Sequence, residues 1–151
     1  YSLGTETVAA LRGVSLSIDN PEFVAIMGRS GSGKSTLLHL IAGLDQPDQG
    51  DIHVNKTNIA KASEVALTRF RRSQMGIVFQ KFNLISTMTA YQNAELPGVL
   101  DGRPREWIDQ RVNTLFNQLE LTNRSNHRPD ALSGGEQQRV AIARAMLFEP
   151  K

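Results

Sequence analysis

One short stretch constrains the fold of this chain more than any other part of its sequence. Residues 28–36 read Gly-Arg-Ser-Gly-Ser-Gly-Lys-Ser-Thr, which fits G-x-x-x-x-G-K-[ST] with Gly28, Gly33, Lys34 and Ser35 in the fixed positions. Glycine and small residues let successive main-chain N–H groups close around an anion, and a following helix adds the positive end of its dipole. The stretch therefore predicts a phosphate-binding loop.

The residue types in this loop predict how a nucleoside triphosphate is held. Lys34 can reach the β- and γ-phosphate oxygens, and the hydroxyl of Ser35 suits Mg²⁺, which prefers hard oxygen ligands. The predicted ATP-binding residues of the loop are Gly28, Arg29, Ser30, Gly31, Ser32, Gly33, Lys34, Ser35 and Thr36.

The residues around the loop predict a strand before it and a helix after it. Residues 23–27 form a continuous apolar run, typical of a strand buried on both faces. Leucine and isoleucine at positions 37, 38, 40 and 41 give a helical stripe, and Gly43 is suited to end that helix.

Composition bounds the class of protein. The 151 residues are 40% hydrophobic, which is enough for one domain with a core, and a net charge of +2 gives no reason to expect a nucleic-acid partner. No cysteine is present, so neither disulfides nor thiolate metal ligands are expected. No apolar run approaches the ~20 residues that span a bilayer, so we expect a soluble chain that reaches a membrane process only by docking on another subunit.

The remaining patterns predict short strands followed by helices. Residues 1–20 are typical of antiparallel strands, with a half-buried strand at 14–18. The further predictions are strands at 51–54 and 76–79, and helices at 62–72, 89–96 and 105–121.

A second motif begins the last helix. Ser133 and Glu136 have the spacing of a capping box, which starts many helices that bind no ligand. Gly134 and Gly135 between them each cost up to about 1 kcal/mol relative to alanine in a helix interior. Glycine is favourable there if a partner must approach the backbone closely, and phosphate is attracted to that end of a helix.

The order of these features resembles the ATP-binding cassette (ABC) family of ATPases over essentially the whole chain. The phosphate loop, Gln80 after a strand, a helical insertion and Leu-Ser-Gly-Gly-Glu-Gln-Gln-Arg occur in sequence. Within the family, the chain is most similar to the lipoprotein-release and macrolide-export group, through residues 30–37, 76–80, 93–97 and 131–145. The resemblance implies an α/β P-loop NTPase with an antiparallel β subdomain and a helical subdomain. The expected parts are a β-rich core at 1–81, the helical subdomain at 82–132 and the signature helix at 133–151.

The resemblance also implies site residues and partners. Tyr1 would stack on adenine, and Gly4 and Val8 follow it at the offsets that the family shows. Gln80 would act with Lys34 in catalysis by sensing Mg²⁺ or the attacking water. The residues that would contact ATP bound to the opposite protomer of a head-to-tail homodimer are Ser133, Gly134, Gly135 and Glu136. An integral membrane permease would bind near residues 51–61 and 85–100, which places the protein in the cytoplasm on the inner face of the cell membrane.

Two departures from the family pattern stand out. Pro21 stands where the family usually has glycine, which suits a turn. The sequence given stops at Lys151, before the family's catalytic glutamate and switch histidine, and neither Glu136 nor Glu149 is a credible substitute. We therefore expect residues 1–151 to be an incomplete domain, marginally stable and weakly active alone.

Three functions remain open from the sequence. The first is the ATPase subunit of an exporter or a lipoprotein-extracting complex. The second is a regulatory ATPase of a cell-division complex, in which nucleotide-gated dimerisation signals without moving a substrate. The third, a P-loop small-molecule kinase, predicts neither Gln80 in its context nor the Ser-Gly-Gly signature. The substrate and the direction of transport are not indicated.

Overall fold

The computed structural model describes residues 9–19 and 22–150, together with the backbone of two short strands near the start of the chain. The predictions for Tyr1, Gly4, Val8 and Pro21 lie outside the described residues. The chain divides into two compact units, Tyr1–Leu67 and Thr68–Lys151. Among the described residues, none of the helices is both long enough and apolar enough to span a membrane.

The described residues of the first unit form two small antiparallel ribbons, one complete helix and the first residues of a second. Strand β1 (Ser2–Leu3) pairs with β2 (Glu6–Thr7), and β3 (His53–Val54) pairs with β4 (Thr57–Asn58). The connection from β3 to β4 is a two-residue turn, Asn55 and Lys56, in which both residues have positive φ, as the tightest hairpins require. The short strand predicted at 51–54 is therefore confirmed over its last two residues.

Helix α1 (Lys34–Ile41) follows the glycine-rich loop, as predicted. It ends at Gly43, whose φ of 62° lets its N–H reach the carbonyl of Leu40 at 3.0 Å while Leu44 reaches that of His39 at 2.9 Å. These two bonds form a Schellman motif, so Gly43 ends the helix in the way the sequence predicted.

Three predicted strands are not formed in the structure. Residues 14–18, 23–27 and 76–79 have no strand assignment and pair with no strand among the described residues. Phe23 is 97% exposed and Met27 is 89% exposed, so the prediction of a strand buried on both faces is wrong here. The physical reason is that an apolar run acquires strand geometry only from neighbours that supply hydrogen bonds and cover its faces.

The second unit is helical. Helix α2 (Glu64–Gln74) crosses from the first unit into the second, and it is followed by α3 (Ala90–Leu100), α4 (Arg105–Gln118) and α5 (Gly134–Met146). Two short 3₁₀ helices, Thr122–Arg124 and Pro129–Ala131, connect α4 to α5. The predicted helices are confirmed, with two larger differences at their ends. Helix α3 continues through Pro97 to Leu100 rather than ending at 96, and the Asp101 N–H still donates to the carbonyl of Pro97 at 3.0 Å. Helix α4 ends at Gln118 rather than 121, because Glu120 has a left-handed φ of 56°.

The core of the second unit lies between α3, α4 and α5. Its buried side chains come from the apolar stripes of these helices and include Ala94, Ile108, Val112, Leu115, Phe116, Val140, Ala143 and Leu147. The side chain of Tyr91 packs against this core, with its ring 5.8 Å from that of Phe116 in an edge-to-face arrangement.

We predict that Phe116→Ala lowers the free energy of unfolding of this unit by about 3–5 kcal/mol, the usual cost of a cavity left by a buried phenylalanine. The matched control is Val99→Ala on α3, because Val99 is 51% exposed. Urea unfolding followed by the fluorescence of Trp107, which packs against the core, measures both losses. Equal losses would contradict the assigned core.

Candidate nucleotide-binding site

The glycine-rich loop bends tightly before α1. The N–H of Ser32 donates to the carbonyl of Arg29 at 3.2 Å, and Gly31 and Gly33 have positive φ of 78° and 87°. Gly33 is the N-cap of α1, and a Cβ built there would lie 2.6 Å from the carbonyl oxygen of Ala10. Only glycine fits this position, because the backbone is left-handed and a main-chain atom fills the space of a side chain.

The ammonium group of Lys34 lies across the loop. It donates to the carbonyl oxygens of Gly28 at 2.9 Å and Arg29 at 2.7 Å, and to the hydroxyl of Ser32 at 3.3 Å. The Lys34 ammonium, the turn at residues 29–32 and the first residue of α1 therefore lie next to one another. Among the described residues, no side chain caps α1, and its first turn holds no acidic residue. The first N–H groups of such a helix are suited to bind an anion.

The second predicted phosphate-binding element is the start of α5. The predicted capping box is confirmed, because Glu136 N–H donates to the Ser133 hydroxyl at 3.3 Å and Ser133 N–H donates to Glu136 Oε2 at 2.7 Å. Arg124 donates to the other carboxylate oxygen at 2.7 Å. These hydrogen bonds, first from Arg124 and then from Ser133, lower the pKa of Glu136 to about 2.

Gly134 and Gly135 lie exposed on the first turn of α5. A Cβ at Gly134 would meet nothing within 4 Å, and one at Gly135 would meet only a guanidinium nitrogen of Arg139 at 3.8 Å. Neither glycine has positive φ. The fold of this unit therefore does not itself require glycine at either position, unlike Gly33 in the loop.

Gln80 lies exposed in a turn of the second unit. The turn is closed by a hydrogen bond from Phe82 N–H to the carbonyl of Phe79 at 2.9 Å. Phe82 and Asn83 have left-handed φ of 59° and 48°. The guanidinium of Arg144 on α5 donates to both of their carbonyl oxygens, at 2.6 and 2.8 Å.

The structure thus groups the predicted residues in two places. Gly28 to Lys34 come together in the first unit, whereas the segment after Gln80 and helix α5, which starts at Gly134, are joined within the second. Sequence reasoning missed Arg144, which donates to this segment at Phe82 and Asn83, and Asn93 of α3, whose side chain hydrogen-bonds to the backbone of Ile85. A signal was present, because Arg144 lies one residue after Ala143 and three before Leu147, on the buried stripe of α5.

Comparison with known proteins gives the family. A family model described as ABC transporter matches residues 11–151. The chain belongs to the ABC transporter family.

This ABC chain is 45% identical, over all of its length and 67% of the relative's, to an uncharacterized ABC transporter ATP-binding protein, MJ1508, of Methanocaldococcus jannaschii. It is also 45% identical to the macrolide export ATP-binding/permease protein MacB of Chlorobaculum tepidum, over 99% of this chain and 23% of that protein. The predicted likeness to the macrolide-export group is thereby confirmed. The chain spans about two thirds of the length of the ATP-binding proteins it matches.

Solved structures give the same family fold. The ABC chain matches a dimeric structure of the ATP-binding cassette MJ0796 of Methanocaldococcus jannaschii, in a post-hydrolysis state with ADP and Pi, with a TM-score of 0.92 and 44% identity. The match covers 99% of this chain and 66% of that one. A second dimeric structure of the same cassette matches equally well. The predicted ABC-type P-loop NTPase fold is therefore confirmed.

We predict that Gly33→Ala is more destabilising than Gly31→Ala. Both residues have left-handed φ, which costs a residue with a Cβ about 1–2 kcal/mol. Only at Gly33 does the added Cβ also meet main chain, since at Gly31 nothing lies within 4 Å. Unfolding free energies and ATP affinities of the two variants test this, and equal losses would contradict the described loop.

We predict that Glu136 makes the second unit more stable above pH 4.5 than near pH 2. Its pKa is lower in the folded protein than in the unfolded chain, so this contribution is lost as pH falls from about 4.5 to about 2. Glu136→Gln keeps a side chain that suits a capping box but cannot ionise. Unfolding at pH 5 and pH 3 should therefore depend on pH less in the variant. An unchanged pH dependence would show that the carboxylate contributes nothing.

Proposed function

We propose that this chain is the ATP-binding part of an ABC ATPase subunit that binds and hydrolyses ATP as a head-to-tail homodimer. The observation that carries the proposal is the contrast between the two glycine-containing elements. Gly33 is required by the loop's own packing, whereas Gly134 and Gly135 are exposed and not required by the fold around them. Glycines that the fold does not need are explained by a partner that approaches the backbone.

The loop suits the triphosphate of ATP. Gly28 to Thr36 would surround the phosphates with main-chain N–H groups, and Lys34 would exchange its carbonyl contacts for phosphate oxygens. Tyr1 would stack on adenine. The hydroxyl oxygen of Ser35 would be a suitable ligand for Mg²⁺. The resemblance to the family implies that the side-chain oxygen of Gln80 would sense the same ion. When bound, Mg²⁺ would offset charge on the phosphates. Among the described residues, no group of three or more histidine, aspartate or glutamate side chains is placed to hold a metal ion.

The start of α5 would contact ATP held by the other protomer, through Ser133, Gly134, Gly135 and the ordering effect of Glu136. Its N–H groups and dipole favour phosphate, and Gly134 and Gly135 have no side chains that would hold a neighbour away. MJ0796, which is 44% identical to this chain, has been solved as a dimer. Hydrolysis by the full-length protein would use Gln80 to orient water, with a carboxylate base that we do not assign to residues 1–151.

The remaining step is coupling to a membrane. We propose an integral membrane permease as partner, bound near residues 51–61 and 85–100, and a location on the inner face of the cell membrane. Likeness to MacB, a macrolide export ATP-binding/permease protein, favours export or lipoprotein extraction. The alternative is a regulatory ATPase of a cell-division complex. Purifying the complex distinguishes the two, because a permease with a large periplasmic extraction domain supports only the first.

We predict that Lys34→Ala in the full-length protein abolishes ATP binding by the monomer, because it removes the cation beside the phosphates. Lys61→Ala is a suitable control, since Lys61 is an exposed cation paired with Asp51 in the same unit. Equilibrium binding of a fluorescent ATP analogue measures both. Retained affinity in Lys34→Ala would overturn the loop assignment.

We predict that Ser133→Arg leaves ATP binding by the monomer intact and blocks ATP-dependent dimerisation. The control is Ser133→Ala, which also removes the cap, at a cost of about 1 kcal/mol, but adds no bulk. Sedimentation with and without ATP distinguishes the variants. Loss of monomer binding in Ser133→Arg would contradict a contact with the opposite protomer.

A further inference from the structure

Arg144 is a basic residue among the buried side chains of the second unit. Its neighbours on the same face of α5, Val140, Ala143 and Leu147, are fully buried. Burial lowers the pKa of the Arg144 guanidinium, and among the described residues no carboxylate forms an ion pair with it. A partly desolvated charge without an acidic partner is unfavourable, so its main-chain contacts require an explanation.

Those contacts are with a strained segment. Arg144 donates to the carbonyl oxygens of Phe82 at 2.6 Å and Asn83 at 2.8 Å. Both residues are left-handed, a conformation that is unusual for a bulky residue such as Phe82 and that persists only when surrounding groups impose it. The planar guanidinium can bind both carbonyls at once, whereas an ammonium group cannot offer this fork.

The other end of the same segment is also fixed. The buried Asn93 of α3 accepts a hydrogen bond from Ile85 N–H at 2.7 Å and donates to the carbonyl of Ile85 at 3.1 Å. Residues 82–85 are thus held between α3 and α5. Gln80 lies two residues before the first carbonyl that Arg144 holds, so the position of this carbonyl limits where Gln80 can lie.

Helix α5 connects this contact to the signature. Arg144 lies ten residues after Gly134 on the same uninterrupted helix, a distance of about 15 Å at 1.5 Å per residue. A shift of the first turn of α5 must therefore move the guanidinium or break its hydrogen bonds, because a helix moves as one rigid element.

We propose that Arg144 is a positioning residue that sets the Gln80 segment according to the position of the signature helix. This inference rests on the proposed function, since it assumes that Gln80 and the first turn of α5 both respond to ATP. Contact of α5 with a neighbouring protomer's nucleotide would then be transmitted to Gln80 through two hydrogen bonds.

The test uses Arg144→Met in the full-length protein with its permease, and Arg111→Met as the matched control. Arg111 also donates to main-chain carbonyls, those of Met146 and Leu147, but not to the Gln80 segment. We expect Arg144→Met to keep the ATP affinity of the monomer and to lose about tenfold in permease-stimulated turnover, within the usual range of coupling between sites. Arg111→Met should keep both. Equal turnover in the two variants would overturn the proposal.

Hydrogen exchange measures the Gln80 segment separately from the rest of the protein, whereas a general loss of stability would speed exchange at many amides. The amides of residues 79–85 should exchange faster in Arg144→Met than in Arg111→Met at matched stability. Arg144→Lys is more conservative and should raise the exchange rate of these amides above the wild type by a smaller factor. It replaces Arg144→Met as the test variant if Arg144→Met does not fold. Exchange equal to the wild type in Arg144→Lys and to the control in Arg144→Met would overturn the positioning role.

The two proposals fail in different ways. If the wild-type protein shows neither ATP-dependent dimerisation nor stimulation by a permease, the proposed function is wrong and the role of Arg144 is overturned with it. If the wild type shows both and the Arg144 variants behave like the Arg111 control, only the positioning role is wrong.

Discussion

Main-chain N–H groups bind phosphate well where no side chain holds the backbone away from it, and we propose that both glycine-containing elements of the chain serve this purpose. In the loop, Gly33 is left-handed and lies against the carbonyl of Ala10, so the local fold itself excludes any other residue. At the start of α5, alanine would fit at Gly134 and Gly135. Glycine is thus required by the local fold at Gly33 and is not required by it at Gly134 and Gly135, which is why we propose a contact with another protomer there.

The sequence was most informative where structure depends on local interactions. The capping box at Ser133, the glycine that ends α1 and the apolar stripes of α3, α4 and α5 were all predictable, because each signal and its partner lie within a few residues. Helix stripes also predicted the core, since their spacing decides which faces meet. The end of α4 was predicted less well, because a left-handed Glu120 has no strong signal in sequence.

Strand pairing was predictable only as a tendency. The apolar run at 23–27 has the composition of a central strand, but strand geometry depends on hydrogen-bonding neighbours that are distant in sequence. Among the described residues these neighbours are lacking, and Phe23 and Met27 are largely exposed. The chain also spans only about two thirds of its relatives' length. Stable domains usually cover apolar side chains such as Phe23 and Met27.

The candidate site was predictable only in its local parts, because contacts between residues distant in sequence leave no local pattern. The loop and the helix that follows it were predictable from a contiguous motif, and the Lys34 ammonium lies against the carbonyls of that loop. The connection between Arg144 and the carbonyls of Phe82 and Asn83 joins residues about sixty positions apart, so no local pattern indicates it. A basic residue on an otherwise apolar helix face was the available signal. Its meaning depended on which carbonyls it reached.

The most direct test of the account is complementation between two defective full-length proteins. Lys34→Ala lacks a working loop but keeps its signature, whereas Ser133→Arg keeps its loop and lacks the signature contact. Neither alone should dimerise with ATP. If each site combines one protomer's loop with the other's signature, a mixture contains one intact site per heterodimer and should show ATP-dependent association by sedimentation. A mixture that associates no more than the separate variants would contradict a site shared between protomers.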